Sequence, residues 1–260
     1  EFLINSNLMK TKDFRWDVNL TGTFNRNKII KLATDKPIEN TTTIRKVGEA
    51  YNTFYMAEYA GVDPETGSPL WYKGKEGKET TSNINEAGQR IVGSADPKFY
   101  GGIGMNFKYK NFDLSADVSY TLGNKVYNSG FSYDMQVGHY FLGPVSNYVY
   151  ENRWQKPGDI TNVPKFEAGN SSSAEANSTR FLMDGSYLRM KSVVLGYTLP
   201  SKLLAKAGIS NLRVYASADN LFTITSSDYI GFDPQTRPTG FQSWSYPVPT
   251  NIMFGLNLGF

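Results

Sequence analysis

The chain has 260 residues, a formal net charge of +3, 14% aromatic side chains and no cysteine. Without thiols there is no disulfide, cysteine catalysis or thiolate metal site, and charge spread this thinly leaves no basic stripe for nucleic acid. No apolar run approaches the ~18 residues of a membrane helix, whereas a transmembrane barrel, with one wetted face per strand and polar loops, fits the composition.

Strands are expected near residues 1–9 and 14–25. In the second, Phe14, Trp16, Val18, Leu20, Gly22 and Phe24 alternate with Arg15, Asp17, Asn19, Thr21, Thr23 and Asn25, the period of two that sends successive side chains to opposite sheet faces. Two more are expected near 50–61 and 69–73, the latter short, around the turn Asp63 to Gly67. Near 99–109, Ile103, Met105, Phe107 and Tyr109 oppose Gly104, Asn106 and Lys108, and Lys110-Asn111 closes a tight hairpin. It leads into 112–123, where Phe112, Leu114, Ala116, Val118, Tyr120 and Leu122 alternate with Asp113, Ser115, Asp117, Ser119 and Thr121.

The strand near 187–199 sets Val193, Leu195, Tyr197 and Leu199 outward and stops at Pro200. Near 211–224, Leu212, Val214, Ala216 and Ala218 oppose Arg213, Tyr215, Ser217 and Asp219. Near 249–260, Ile252, Phe254, Leu256, Leu258 and Phe260 oppose Asn251, Met253, Gly255, Asn257 and Gly259. Alone, that last strand suits a bilayer or a soluble sandwich equally.

The connections break the tie. Met9 to Asp13, Asp63 to Gly67, Lys110-Asn111 and Ser201 to Ser210 are short, whereas roughly 26–49, 74–98, 124–186 and 225–248 are long and polar. Short turns at one end and long loops at the other belong to outer-membrane barrels. The expected fold is therefore all-β, an antiparallel transmembrane β-barrel segment of about nine strands. An odd number of antiparallel strands cannot close on itself, and an open edge in lipid leaves backbone groups unpaired. The strands are thus expected to complete a larger barrel with sequence outside this chain. The opening EFLINSNLMK, with neither initiating Met nor signal peptide, gives the expectation of a piece of something longer or of a processed product.

Six stretches taken in order resemble the carboxy-terminal portion of the SusC/RagA family of TonB-linked outer-membrane transporters of Bacteroidetes. They are YAGVDPETGSPLWY (Tyr59 to Tyr72), GSADPKFYGGIGMNFKYKNFDLSADVSYTLGNKVYN (Gly93 to Asn128), RWQKPGD (Arg153 to Asp159), DGSYLRMKSVVLGYTLP (Asp184 to Pro200), GISNLRVYASADNLFT (Gly208 to Thr223) and the terminal GLNLGF. The resemblance implies a plugged barrel of about 22 strands, energised through TonB and capped by a SusD-like surface lipoprotein. It assigns residues 1–260 to the barrel and leaves the plug and TonB-binding segment outside the chain, so gating and energy coupling are not located here. A further departure is KGKEGKETTSNINEAGQRIVG (Lys73 to Gly93), where many relatives carry an acidic run resembling a calcium loop. These residues cannot form such a site.

His139 is the only histidine, and with no partner at readable spacing it supports neither a metal site nor a catalytic role. No enzyme activity or cofactor is expected. The GGIG at Gly101 to Gly104 opens a strand rather than a helix, which favours close packing or a bend in the wall over a phosphate loop. Trp71, Tyr72, Tyr140, Phe141, Tyr148, Tyr150, Trp154, Tyr229, Trp244 and Tyr246 lie near strand ends or in long loops. Trp154, Tyr148, Tyr229 and Trp244 are the candidates for ligand or partner contact, stacking on sugar rings or peptide side chains; the alternatives are an interfacial girdle and packing between loops or against a partner. Asp113, Asp117, Arg213 and Asp219 are expected in a wetted wall or against the plug.

Phe260 continues an apolar row toward the periplasmic interface, and the resemblance implies that a terminal aromatic is read as a barrel-assembly signal; the alternative is one more wall residue. The first functional expectation is an importer of glycan or peptide fragments in the outer membrane, with a SusD-like lipoprotein, TonB, the remaining barrel and the bilayer as partners. The second is a passive porin-like or structural barrel without TonB. An outer-membrane hydrolase is weak for want of a histidine constellation.

Overall fold

Seven strands pair edge to edge in the computed structural model of the chain, which describes all residues except 35, 141, 142, 206, 207, 232 and 236. They are β1 (Phe2–Lys10), β2 (Phe14–Phe24), β3 (Phe99–Tyr109), β4 (Phe112–Leu122), β5 (Tyr187–Thr198), β6 (Asn211–Asp219) and β7 (Asn251–Gly259). Each runs antiparallel to the next, and the short strand Thr223–Thr225 also pairs with β5.

The register turns the alternation within each strand into a wall with two faces. Asn5, Asn19, Gly104, Asp117, Ser192, Asp219 and Asn251 lie opposite one another in a single polar row from β1 to β7. One residue away, Ser6, Val18, Met105, Ala116, Val193, Ala218 and Ile252 form the corresponding row on the other face. A slip of one residue would exchange the two faces. On the apolar face aromatic rings band both ends of the strands. Trp16 stacks on Phe107 at 5.3 Å and Phe112 leans on Tyr197 at 4.6 Å near the short turns, while Phe24 stacks on Phe99 at 4.4 Å near the long loops. Aliphatic residues between two aromatic belts are the outer surface of a strand-built membrane wall.

Gly101 shows why the wall needs glycine at one of these positions. Tyr120 lies directly opposite, and its hydroxyl donates to the Thr21 carbonyl at 2.8 Å. A Cβ on residue 101 would collide with both groups, which accords with the close-packing reading of GGIG.

Seven of the nine expected traverses form the wall. The segments expected near 50–61 and 69–73 lie instead in a canopy built by three long loops, residues 25–98, 123–186 and 220–250. Thr53–Ala57 is buried at every position and pairs with Gln89–Ser94 and Thr43–Arg45. Burial on both sides removes the two-faced character of a wall strand. Pro69–Tyr72 pairs with Tyr59–Val62 and Thr80–Thr81, and the Asp63 to Gly67 turn joins canopy strands rather than wall strands.

The packed core also lies in the canopy. Phe54, Met56 and Ala95 of the first loop meet Tyr127, Met135, Val137, Val149, Val163, Ala174 and Phe181 of the second. The third joins through Phe241–Gln242, which pairs in parallel with Tyr127 and Asn128 and places the Phe241 ring 5.7 Å from both Phe54 and Tyr127. Among the described residues no helix is long and apolar enough to cross a membrane.

Candidate functional site

The polar face of the wall is held by side-chain pairs between strands. Arg213 on β6 reaches across β5 to Asp113 on β4 at 2.5 Å, and Ser192 donates to Asp117 at 3.0 Å. Asn7 donates to Asp17 at 2.8 Å, while Arg15 binds Asp17 along β2 at 2.6 Å. These groups are mutually satisfied, as a wetted wall requires.

A register shift adds one cation that the sequence reading did not single out. Opposite Asp117 and Val118 the ladder skips Lys191, so Met190 joins the apolar row and Arg189 falls on the polar face opposite Ser119. Such a bulge re-aims the side chains beyond it. The sequence carries its trace, because the apolar positions change parity from Leu188 and Met190 to Val193, Leu195 and Tyr197.

Arg189 meets Asp233 of the third loop, with both side chains nearly inaccessible and Nη2 to Oδ1 at 2.5 Å. It also donates to Gln235 at 3.0 Å and Thr223 at 2.9 Å. The Asp233 carboxylate accepts in addition from the backbone N–H groups of Gln235 at 2.9 Å and Val248 at 3.0 Å. Its carbonyl accepts from the Gln242 amide at 2.6 Å and from the Tyr229 hydroxyl at 2.7 Å. Burial alone would raise the Asp233 carboxyl; the donors from Val248, Gln235 and Arg189 together hold it below its ordinary value. Burial pushes the Tyr229 hydroxyl up to about 12, so it remains a donor. One carboxylate therefore fixes both ends of residues 233–248 to the wall.

Beside this anchor, between the first and third loops, lies a cleft of about 610 Å³. Arg45, Tyr51, Arg237, Ser245 and Tyr246 line it. The Arg45 guanidinium lies 4.3 Å above the Tyr51 ring. A second cavity of about 540 Å³, where the three loops meet, holds Tyr59, Tyr72, Tyr148 and Arg180.

The expected contact residues separate by exposure. Trp154 donates its indole N–H to the Pro64 carbonyl at 2.9 Å and covers Gly67, which locks the second loop to the first. Tyr229 is held by the Asp233 anchor. Tyr148 packs on the canopy core while facing the second cavity. Trp244 is 67% exposed, with its ring edge toward Tyr133, and Tyr246 is 99% exposed. Trp71 is fully buried, Tyr140 leans on Tyr133, and Tyr72 and Tyr150 lie under the guanidinium groups of Arg90 and Arg153. Phe141 lies outside the described residues. Phe260 follows β7 at the short-turn end and is 89% exposed.

In the interval from Lys73 to Gly93 an arginine occupies the centre. Arg90 donates to the carbonyls of Lys73 at 3.0 Å, Gly74 at 3.2 Å and Gly77 at 3.0 Å, and pairs with Glu58 at 3.0 Å. Its fixed donors gather backbone oxygens into one loop. Exposed His139 has its Nδ1 3.0 Å from the Asn170 carbonyl and its ring edge-to-face with Tyr140 at 4.8 Å. Among those residues no cluster of three or more potential metal ligands occurs.

No family model matches the chain. Among curated proteins it is 31% identical to the TonB-dependent receptor SusC of Bacteroides thetaiotaomicron over 284 residues, covering all of this chain and 26% of that protein. It is 29% identical to TonB-dependent receptor P3 of Formosa agariphila over 292 residues, covering 28% of it. Among solved structures, the RagAB peptide transporter superposes with a TM-score of 0.83 at 30% identity, over 98% of this chain and 28% of that one. The RagAB peptide importer in its closed-closed state gives 0.81 at 30% identity. These proteins are receptors and transporters rather than enzymes. The chain spans little more than a quarter of the length of the relatives it matches.

Proposed function

Because this chain belongs to the SusC/RagA family of TonB-dependent receptors, as a carboxy-terminal portion of the barrel, we propose that it forms part of the wall and outer canopy of an outer-membrane nutrient importer. On this reading all 260 residues are barrel, while the plug and the contact with TonB belong to the rest of the receptor. A SusD-like lipoprotein closes the canopy from outside, and the cargo is a glycan or peptide fragment.

The observation that carries the reading is the two-faced wall with every long loop at one end. Its apolar face, belted by aromatic rings, satisfies the bilayer, and the ladder satisfies the backbone groups that lipid cannot. Its polar face borders a wet passage in which the Asp113–Arg213 and Asp17–Arg15 pairs are solvated and mutually neutralised. The canopy stands over the mouth of that passage, anchored inward by Arg189 and Asp233, so captured cargo meets a packed surface before it meets the lumen. The exposed rings of Trp244 and Tyr246 provide contact area for cargo or for the lid. Phe260, at the short-turn end of β7, is assigned to barrel assembly.

Uptake of labelled oligosaccharide and peptide fragments, measured in cells with and without TonB and with and without the lipoprotein, tests this reading. Accumulation against a gradient that requires both is expected. Entry that continues undiminished without TonB would favour the passive pore.

A further inference from the structure

We propose that the cleft between the first and third loops is an anion-selective subsite, taking a carboxylate carried by an oligomeric ligand. This rests on the importer reading above and adds to it the charge of the cargo.

The argument begins with the cleft's charge. Arg45 and Arg237 line it, and its one acidic lining residue is Asp233. That carboxylate is already committed to Arg189 and to the N–H groups of Gln235 and Val248. Among the described residues neither Arg45 nor Arg237 forms an ion pair, and neither donates a side-chain hydrogen bond to another protein group. Among the described residues the cleft therefore presents two guanidinium groups without an acidic partner.

Geometry adds selectivity. Arg45 is stacked on Tyr51, which restricts the orientation of its planar fork while leaving its in-plane donors available; this suits two-point recognition of a carboxylate. The wholly exposed Tyr246 ring offers a flat apolar surface beside polar Ser245 and Thr239. A volume of about 610 Å³ lies within the range of small-ligand sites, and its mixture of hydroxyls, aromatic rings and two cations suits a short acidic oligomer. Two sources share that chemistry, an acidic oligosaccharide bearing uronates and a peptide bearing acidic side chains.

The test uses the full-length receptor with its plug and lipoprotein, purified in detergent. Binding of a tri-uronate, a neutral trisaccharide of the same length, and triglutamate and triglutamine both acetylated and amidated at their termini is measured by calorimetry for the wild type, Arg45→Gln, Arg237→Gln and Tyr246→Ala. At least one acidic probe should bind more tightly than its neutral counterpart. That preference should fall about tenfold in each arginine variant, the scale of a charge-assisted hydrogen bond, and should weaken with salt. Tri-uronate or triglutamate binding alone identifies the source. Neutral probes should be unaffected by the arginine changes but weakened by Tyr246→Ala. Equal binding of acidic and neutral probes, or an acid preference that survives both arginine changes, overturns the subsite. The importer reading is scored separately by TonB-dependent uptake of the neutral probes, which can succeed while the acid preference fails.

Discussion

At the scale of single residues, charge and burial decide how much each side chain matters. Asp233 holds the third loop to the wall, so removing its charge leaves Arg189 buried and unpaired, a change of about 3–5 kcal/mol for such pairs. Asp233→Asn should therefore speed hydrogen exchange across residues 226–248 at pH 7 while leaving the strands of the wall unchanged. Equal protection in the variant would refute the anchor. Because the folded Asp233 carboxyl sits below its ordinary value, its contribution is complete above the unfolded value of about 3.9 and is lost as pH falls through the folded one. Protection of the third loop should accordingly be flat from about pH 8 to 5 and decline only below about pH 4. On the wall the deciding variable is facing. Val193, mid-strand on the apolar face, should lose roughly 2–4 kcal/mol on conversion to Arg. Asp117→Asn, on the polar face, should cost little because the Ser192 hydroxyl still finds an acceptor. Urea titration of the folded receptor in lipid measures both, and similar losses at the two positions would refute the assigned facing.

At the scale of elements, the wall and canopy differ in how much of them could be read from sequence. In β2, β3, β4, β6 and β7 each side chain faces one of two unlike surroundings, so polarity alternates and the strands are legible. Thr53–Ala57 is buried on both sides, and a segment without contrasting faces carries no such signature. Its neighbourhood is remote in sequence as well; the amide of Asn52, just before it, reaches the carbonyl of Pro238, 186 positions away. The Arg189 anchor was obscured for a related reason, since a bulge changes facing within β5 and its partner lies 44 residues on. Of the four expected contact residues, Trp244 is open, Tyr148 borders a cavity, and Trp154 and Tyr229 make internal bonds. Aromatic composition alone could not separate these cases. The canopy's separate core gives a further expectation. Phe54→Ala, at a fully buried position, should remove about 3–5 kcal/mol and open the loops to protease, yet leave the barrel heat-modifiable on gels. Loss of the barrel itself would show that canopy and wall fold as one unit.

At the scale of the whole molecule, the seven-stranded wall leaves β1 and β7 each with one neighbour in the sheet, as expected for part of a larger barrel. Phe260 lies just beyond β7 at the short-turn end, and the role proposed for it is in barrel assembly. In the full-length receptor, deleting Phe260 or appending a charged tail should lower the amount of assembled barrel far more than Leu256→Ala does. Matching levels in all three variants would leave Phe260 as one wall residue among many. The shared hydrophobic core beneath residues 25–98, 123–186 and 220–250 bears on retargeting such a receptor. Loops that are independent can be swapped one at a time, but these three bury one another's side chains and are cross-linked by Phe241, Trp154 and Asn52. A single transplanted loop would arrive without the surfaces that shape it. Specificity here would have to be moved as a set of three, grafted together onto hairpins whose spacing the wall already fixes.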